Sequence, residues 1–288
     1  MNSLIKKYIL NITRKKNYKK NTIDAYERDL KFFAEYLSKN KIAFDEVTKL
    51  KINLYAAHLL RNGKSEATVA RTLSTIKGFY SYLYEKKILN NNPSLNVTTP
   101  HIEKKKTNIL SLEEMDLFLS QPDLSTPKGC RDKAILELIY ATGIKVSELI
   151  SLKISDVNFI SETITVGNRE IPYGTVCSSS LNMYIEKSEF INISDKTAYL
   201  FTNLSGTKLS RQGIWKIIKY YKMMSGIEKE ITPQIMRHSF AVHLIDNGID
   251  IKTLQELMGH TVIASTQTYI ELSKRKIRSI YKSVHPRA

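Results

Sequence analysis

The sequence is poor in three things. Cysteine is nearly absent: Cys130 and Cys177 are the only two in 288 residues, too few for a disulfide framework or a zinc cage. No apolar run approaches the roughly 18 residues that cross a bilayer. The start, MNSLIKKYILNITRKK, has too short an apolar stretch and too basic a sequel for a cleaved signal. Acidic residues are scarce as well, 28 Asp and Glu against 44 Lys and Arg, for a net charge of +16. A secreted disulfide scaffold and a membrane span drop out. The expectation is a soluble, cytoplasmic protein with reduced thiols.

What is present supports a folded chain. Hydrophobic residues make up 42% and charged residues 25%, the balance of a globular protein with room for one large or two modest domains. The charge is uneven. Through Lys106 there are 22 Lys and Arg against 9 Asp and Glu, a net +13; the remainder holds 22 against 19, a net +3. So basic a first third attracts a polyanion, because neutralised phosphates release counterions. A Lys-rich composition of the kind an AT-rich genome produces accounts for part of the excess without any partner. A membrane surface, the other polyanion, calls for a basic amphipathic helix with large apolar anchors, and these helices read as parts of a core.

The first hundred residues read as a small four-helix domain. Asn21-Thr22 looks like the cap of TIDAYERDLKFFAEYLSKN, whose Ile23, Tyr26, Leu30, Phe33 and Leu37 recur at helical spacing. Leu54, Ala57 and Leu60 continue the stripe, Asn62-Gly63 breaks the chain, and Ser65 opens a helix with Val69, Leu73, Ile76, Tyr80 and Leu83 on one face. Pro93, Pro100 and Glu103-Lys104-Lys105-Lys106 read as an extended linker, placed at 101–108 between domains at 1–100 and 109–288. Ser111-Leu112-Glu113-Glu114 is a capping box. Beyond it a helix is expected from about Gly129 to Thr142, strands at Thr163–Val166 and Glu170–Tyr173 with a third at Ala198–Phe201, and helix after Ser210 broken at Gly226, Gly248 and Gly259. The fold class is mainly α, with a small antiparallel sheet in the second domain.

Three blocks of that domain carry chemistry: Ala134–Asn158, Ile231–His260 and Ser265–Leu272. They bring together Arg237, His260 and Tyr269. Breaking a phosphodiester without metal needs that kit: a guanidinium fork for the oxygens, an imidazole to donate or shuttle a proton, and a phenol to attack phosphorus. No carboxylate cluster sits among them, so a two-metal nuclease is disfavoured and no metal or cofactor is expected. Singly, each residue has a plainer account. Tyr269 is one of 16 tyrosines, Arg237 and His238 could cap a helix or line a surface, and His260 after Gly259 could simply close a helix.

In combination, ATGIKVSEL, MRHSFAVHL, LMGH and TQTY resemble the arginine, H-x-x-R, third and nucleophile blocks of the tyrosine recombinase (phage integrase) family, most closely its Xer-type members. The resemblance runs over nearly the whole chain. It implies a SAM-like core-binding domain followed by a catalytic domain. It also implies attack by Tyr269 on a scissile phosphate, a phosphotyrosyl link, and a freed deoxyribose hydroxyl that attacks a partner strand. Arg237 and His260 are implied to hold the non-bridging oxygens, with four protomers on two duplexes. Three positions depart from the family. Lys145 stands at its first arginine and loses the bidentate fork. Gln234 stands at its histidine and has no usable pKa. The hairpin in ETITVGNREIPYG lacks the family's lysine, leaving Arg169 as the nearest cation.

The expected DNA contacts are Lys19, Lys20 and Asn21 at a helix start, Arg71, Ser74 and Lys77 on the polar side of the fourth helix, and Arg211 with Gln212 near the scissile base pairs. For most of the lysines a solvated face is the expected account. The expected partners are double-stranded DNA with a near-palindromic site, further copies of the chain and a second recombinase. The resemblance implies that the C-terminal SKRKIRSIYKSV docks in a neighbouring copy, and packing on its own domain is an equal account of it. A catalytically impaired relative that binds a DNA site remains the alternative, as does a nicking and relaxing enzyme that needs no partner protomer.

Overall fold

The computed structural model describes residues 1–15, 18, 20–99, 108–188, 195, 197–203, 205–259 and 269. The chain divides into two compact units, Met1–Lys105 and Lys106–Ala288. Pro100 and the Glu103–Lys106 run of the expected linker lie outside the described residues, as do Lys19, His260 and the C-terminal segment.

The first unit holds α1 (Asn2–Lys15), α2 (Lys20–Lys39), α3 (Lys49–Arg61) and α4 (Glu66–Glu85). Helix α4 is its centre: Val69, Leu73, Ile76, Phe79, Tyr80 and Leu83 are all buried, the stripe that the helical spacing picks out. Leu30, Phe33 and Leu37 of α2 face them, with Ile5, Tyr8 and Ile12 of α1. Two expectations are corrected. Helix α2 begins at Lys20, so Asn21 and Thr22 lie in its first turn and do not cap it. Helix α3 buries Ile52 and Tyr55, with Ala56 and Leu59 against the core, whereas Leu54 and Leu60 are 48% and 44% exposed. Both sets have helical spacing; the buried one carries the tyrosine ring that packs on Phe33 at 4.9 Å between centroids.

The second unit opens at Ser111, whose hydroxyl and Glu114 cap α5 (Leu112–Leu119) reciprocally. Helix α6 (Pro127–Thr142) is buried on nearly every side and ends on Gly143 in the left-handed conformation. One turn, α7 (Val146–Leu149), follows. The antiparallel sheet has the order β1 (Val157–Asn158), β2 (Thr163–Val166), β3 (Arg169–Pro172), with Val166 paired to Arg169 across the two-residue turn Gly167-Asn168. Ala198–Phe201 is not its third strand; Val157–Asn158 is. The backbone of Ala198 and Leu200 bonds instead to Ile154 and Leu152, so Tyr199 forms only an isolated bridge with Lys153. Helices α8 (Gly174–Lys187), α9 (Arg211–Ser225), α10 (Pro233–Asp246) and α11 (Ile251–Met258) complete the described elements, with breaks at Gly226, Gly248 and Gly259 as the sequence indicates.

Helix α10 is tied down by polar groups on its buried side. The Ser239 hydroxyl accepts from Leu110 N–H at 2.9 Å. His243 Nε2 lies 3.0 Å from the Leu110 carbonyl and its Nδ1 2.8 Å from Tyr140 Oη. A carbonyl only accepts, so Nε2 carries the proton and Nδ1 takes the Tyr140 hydroxyl hydrogen. Such a pinned helix is a rigid mount for the residues on its other face.

Candidate active site

Three helix termini converge on one cleft. Gly143 closes α6 and delivers Lys145 to the start of α7. Thr232 caps α10, with Pro233 in its first turn, so Gln234 is exposed at the tip and Arg237 lies one turn in. Ser210 caps α9 and presents Arg211 and, a turn later, Trp215. The cleft, about 400 Å³, is lined by Lys145, Arg211, Trp215, Gln234, Arg237 and Tyr269. Four of the five expected catalytic residues are therefore gathered, and the fifth, His260, lies outside the described residues.

Arg237 is buried and its guanidinium donates to the carbonyls of Gly143 and Met258. Gly143 is required there: its φ is +57° and a Cβ would collide with the Phe240 ring. Met258 belongs to a further pattern. Three consecutive carbonyls at the end of α11 each accept from a different cation. Arg169 reaches Leu257 at 2.6 Å, Arg237 reaches Met258, and Lys145 Nζ reaches Gly259 at 3.4 Å. These carbonyls are the negative end of the helix dipole, and the segment they hold leads directly to His260. Gly259 has φ +59°, and a Cβ there would lie 2.7 Å from Arg169 Cζ, so glycine lets the guanidinium cross beneath the chain.

Glu148 organises the cations. It accepts from Lys145 N–H at 3.0 Å and from Arg169 at 2.8 Å, with Lys145 Nζ 3.6 Å away. Burial raises its carboxyl, but these hydrogen bonds and the two cations outweigh that and hold it below the usual range. Lys145 is pushed down from the ordinary lysine value, chiefly by burial and then by Arg237 and Arg169, against the pull of Glu148.

Tyr269 is 3% exposed. Burial raises its phenol; the Arg237 charge and a hydrogen bond from Arg237 work against that rise. Its hydroxyl also lies 3.0 Å from His238 Nδ1, with the rings tilted at 5.2 Å between centroids. Burial and the adjacent Arg237 push His238 below the ordinary imidazole value, which favours the neutral ring.

Of the other expected site residues, Gln212 is exposed beside Arg211 and does not line the cleft. In the first unit Lys20 and Asn21 are exposed on the first turn of α2, Ser74 donates to the Ala70 carbonyl, and Lys77 is half-buried. Arg71 is bonded to the buried Asp29 carboxylate at 2.7 Å. The functional neighbours that the sequence reading missed are Glu148, Trp215 and the contact made by His238. Glu148 lies inside the quoted ATGIKVSEL block and His238 directly follows Arg237, so both were in view without a partner to give them meaning. Among the described residues no group of His, Cys, Asp or Glu is placed to hold a metal ion, and no helix is long and apolar enough to cross a membrane.

Comparison with known proteins agrees over the whole length. Residues 108–276 match the phage integrase family and residues 5–87 the phage integrase N-terminal SAM-like domain. Tyrosine recombinase XerD of Staphylococcus epidermidis is 41% identical over 295 residues, and that of Listeria innocua 37% over 297, each alignment covering all of both chains. Among solved structures, XerA recombinase aligns over 100% of this chain and 99% of its own at 25% identity with a TM-score of 0.55. The Tn1549 transposon integrase in complex with circular intermediate DNA aligns over 92% and 94% at 20% identity with a TM-score of 0.74. XerH bound to a palindromic difH substrate aligns over 90% and 78% at 22% identity with a TM-score of 0.72. The chain belongs to the phage integrase family of tyrosine recombinases.

Proposed function

We propose that the chain is a site-specific DNA recombinase that breaks and rejoins strands through a phosphotyrosyl link on Tyr269. The observation that carries this is the pairing of the Tyr269 phenol with a buried Arg237 that also donates to two backbone carbonyls, beside Lys145 in one cleft. Carbonyls position a guanidinium without cancelling its charge, so the fork stays electropositive toward a phosphate that enters beside the nucleophile. Lys145 holds a second oxygen. It is also the titratable cation among the described residues lining the cleft, which makes its ammonium the proton source for the departing sugar oxygen. Gln234 donates an amide hydrogen bond and takes no part in proton transfer. His260, next to the gripped end of α11, is assigned to the same phosphate.

The substrate is double-stranded DNA with a near-palindromic site, in line with the DNA-bound relatives, and the working species is a set of protomers assembled on it, in the cytoplasm where the DNA lies. Residues 1–100 are assigned to DNA binding, 101–108 to the linker and 109–288 to catalysis, with Lys19, Lys20, Asn21, Arg71, Ser74, Lys77, Arg211 and Gln212 on the DNA side.

The test is covalent trapping on a nicked duplex whose cleavage product diffuses away, bearing the site that the protein selects from a random-sequence library. The expected result is a protein–DNA adduct on a denaturing gel with the native chain and none with Tyr269→Phe, at equal DNA affinity. Tight binding without adduct in the native chain would make it a DNA-binding relative that has given up the chemistry.

A further inference from the structure

The attack assigned to Tyr269 needs somewhere for the phenol proton to go; His260 is assigned to the phosphate, and among the described residues the cleft has few takers. Gln234 has no basic atom. A guanidinium carries donors and no acceptor, which removes Arg211 and Arg237. Lys145 is a cation assigned to the other end of the reaction. Among the described residues the titratable nitrogen set against the phenol is His238 Nδ1, at 3.0 Å from Oη.

The hydrogen-bond directions fit a transfer. Arg237 bonds to the phenol, and a guanidinium only donates, so the phenol oxygen accepts there. The hydroxyl hydrogen is left to point at the other partner, Nδ1, which then holds a lone pair with the ring proton on Nε2. Among the described residues, the charged or titratable groups facing His238 are Arg237 on its own helix and Tyr269. Arg237 disfavours a charged imidazole in the resting site. Once the phenol's negative charge has passed to the phosphate, the scissile group balances that cation and an imidazolium becomes acceptable. Position supports the same view. His238 lies one helical turn from Gln234 on the same face of α10, so the imidazole missing from the tip has a counterpart one turn deeper, against the nucleophile.

We propose that His238 is the general base of strand cleavage in this chain, taking the Tyr269 proton on Nδ1 as the phenol attacks phosphorus. The proposal rests on the recombinase reading above. In the step, the Oη–P bond forms and the bridging P–O bond breaks. The phenol proton passes to Nδ1, and the electron pair leaves on the deoxyribose oxygen, which takes a proton from the Lys145 ammonium. Rejoining runs in reverse: the sugar hydroxyl returns its proton to Lys145, and the departing phenolate recovers its own from the His238 imidazolium.

The experiment is single-turnover adduct formation on the nicked duplex described above, with the full-length native chain, His238→Phe and His238→Ala. Phenylalanine keeps a ring against Tyr269, and DNA affinity at the native value certifies that each variant is folded. Removing a general base is expected to lower the rate by roughly 10²–10⁴-fold in both. Added imidazole should restore part of the rate in His238→Ala, and not in His238→Phe, where the space is filled. An unchanged rate in His238→Phe overturns the proposal and leaves the recombinase reading standing. A slow His238→Ala that ignores imidazole assigns His238 to packing, and a faster variant assigns it to restraining the nucleophile; either result overturns the proposal. Absence of adduct in the native chain removes both readings together, so the two failures are told apart by the native lane.

Discussion

Two arginines, each about one turn into its helix, illustrate how differently one residue type is used in the two units. Arg71 on α4 gives its guanidinium to the buried carboxylate of Asp29. Arg237 on α10 gives its own to the carbonyls of Gly143 and Met258. Both are fixed in place, but the electrostatic outcome is opposite. A carboxylate cancels the cation, and the pair presents little net charge to a polyanion. Carbonyls orient the cation without an ion pair, and the Glu148 carboxylate acts on it only through space. The first arrangement spends an arginine on structure; the second leaves one able to take an anion, the role proposed for it. Sequence position alone does not separate them, since both lie on helices in regions expected to meet DNA.

The largest effect that would sharpen this contrast is at Arg237. If the fork itself matters, Arg237→Lys, which keeps the charge and loses bidentate geometry, should lower adduct formation by about 10²–10³-fold, as the loss of one preorganised donor does. Arg237→Gln should be no better. Native activity in the lysine variant would show that charge without geometry is enough, and the contrast drawn above would lose its catalytic half.

Lys145 comes next. Lys145→Ala should slow cleavage by roughly 10²-fold through loss of the proton donor and one phosphate contact. A substrate with sulfur in place of the bridging leaving oxygen needs no proton to depart, so it should recover much of that loss. Equal defects on both substrates would confine Lys145 to holding the phosphate. The pH dependence has a definite sign. His238 is held below its ordinary 6.5, first by burial, so the acid limb of native cleavage should fall below 6.5, as the base is protonated. The alkaline limb falls as Lys145, itself pushed down by burial, loses the proton it donates. An acid limb that begins to fall above 6.5 would contradict a depressed imidazole.

Much of this was legible before the structure. The α4 stripe, the Ser111 capping box and the stops at Gly226, Gly248 and Gly259 follow from local rules that act within a turn or two. The buried face of α3 did not, because 52-55-56-59 and 54-57-60 are both apolar at helical spacing, and only the aromatic packing of Tyr55 on Phe33 decides between them. The site divides in the same way. Its residue types were readable as a phosphodiester kit, and four of the five named catalytic residues meet in one cleft. The grip on α11 was not readable, since its acceptors are backbone carbonyls at Leu257, Met258 and Gly259, and carbonyls leave no mark in a sequence. Nor was the bond between His238 and Tyr269, which spans 31 residues.

The smallest effects lie at Asp29, where the first half of the comparison can be undone. Its carboxyl is raised above the ordinary 3.8 because burial outweighs the attraction of Arg71 and the hydrogen bonds it accepts. The short ion pair and the raised pKa are consistent: the pair recovers part of a larger desolvation cost. A raised folded-state pKa means that this group's contribution to stability is fully present below 3.8 and lost as pH rises through the folded value. Asp29→Asn keeps an oxygen for Arg71 and removes the charge. It should match the native chain in acid and equal or slightly exceed it in urea unfolding at pH 7, by up to about 1 kcal/mol. Arg71→Ala strands the carboxylate and should cost about 2 kcal/mol at pH 7. The same pair tests the electrostatic claim. Asp29→Asn frees one cation, so the slope of log affinity against log salt should steepen by about 0.9 if Arg71 meets a phosphate. An unchanged slope, with the stability pattern as expected, would confine Arg71 to holding α4 against α2 and remove it from the DNA-facing set.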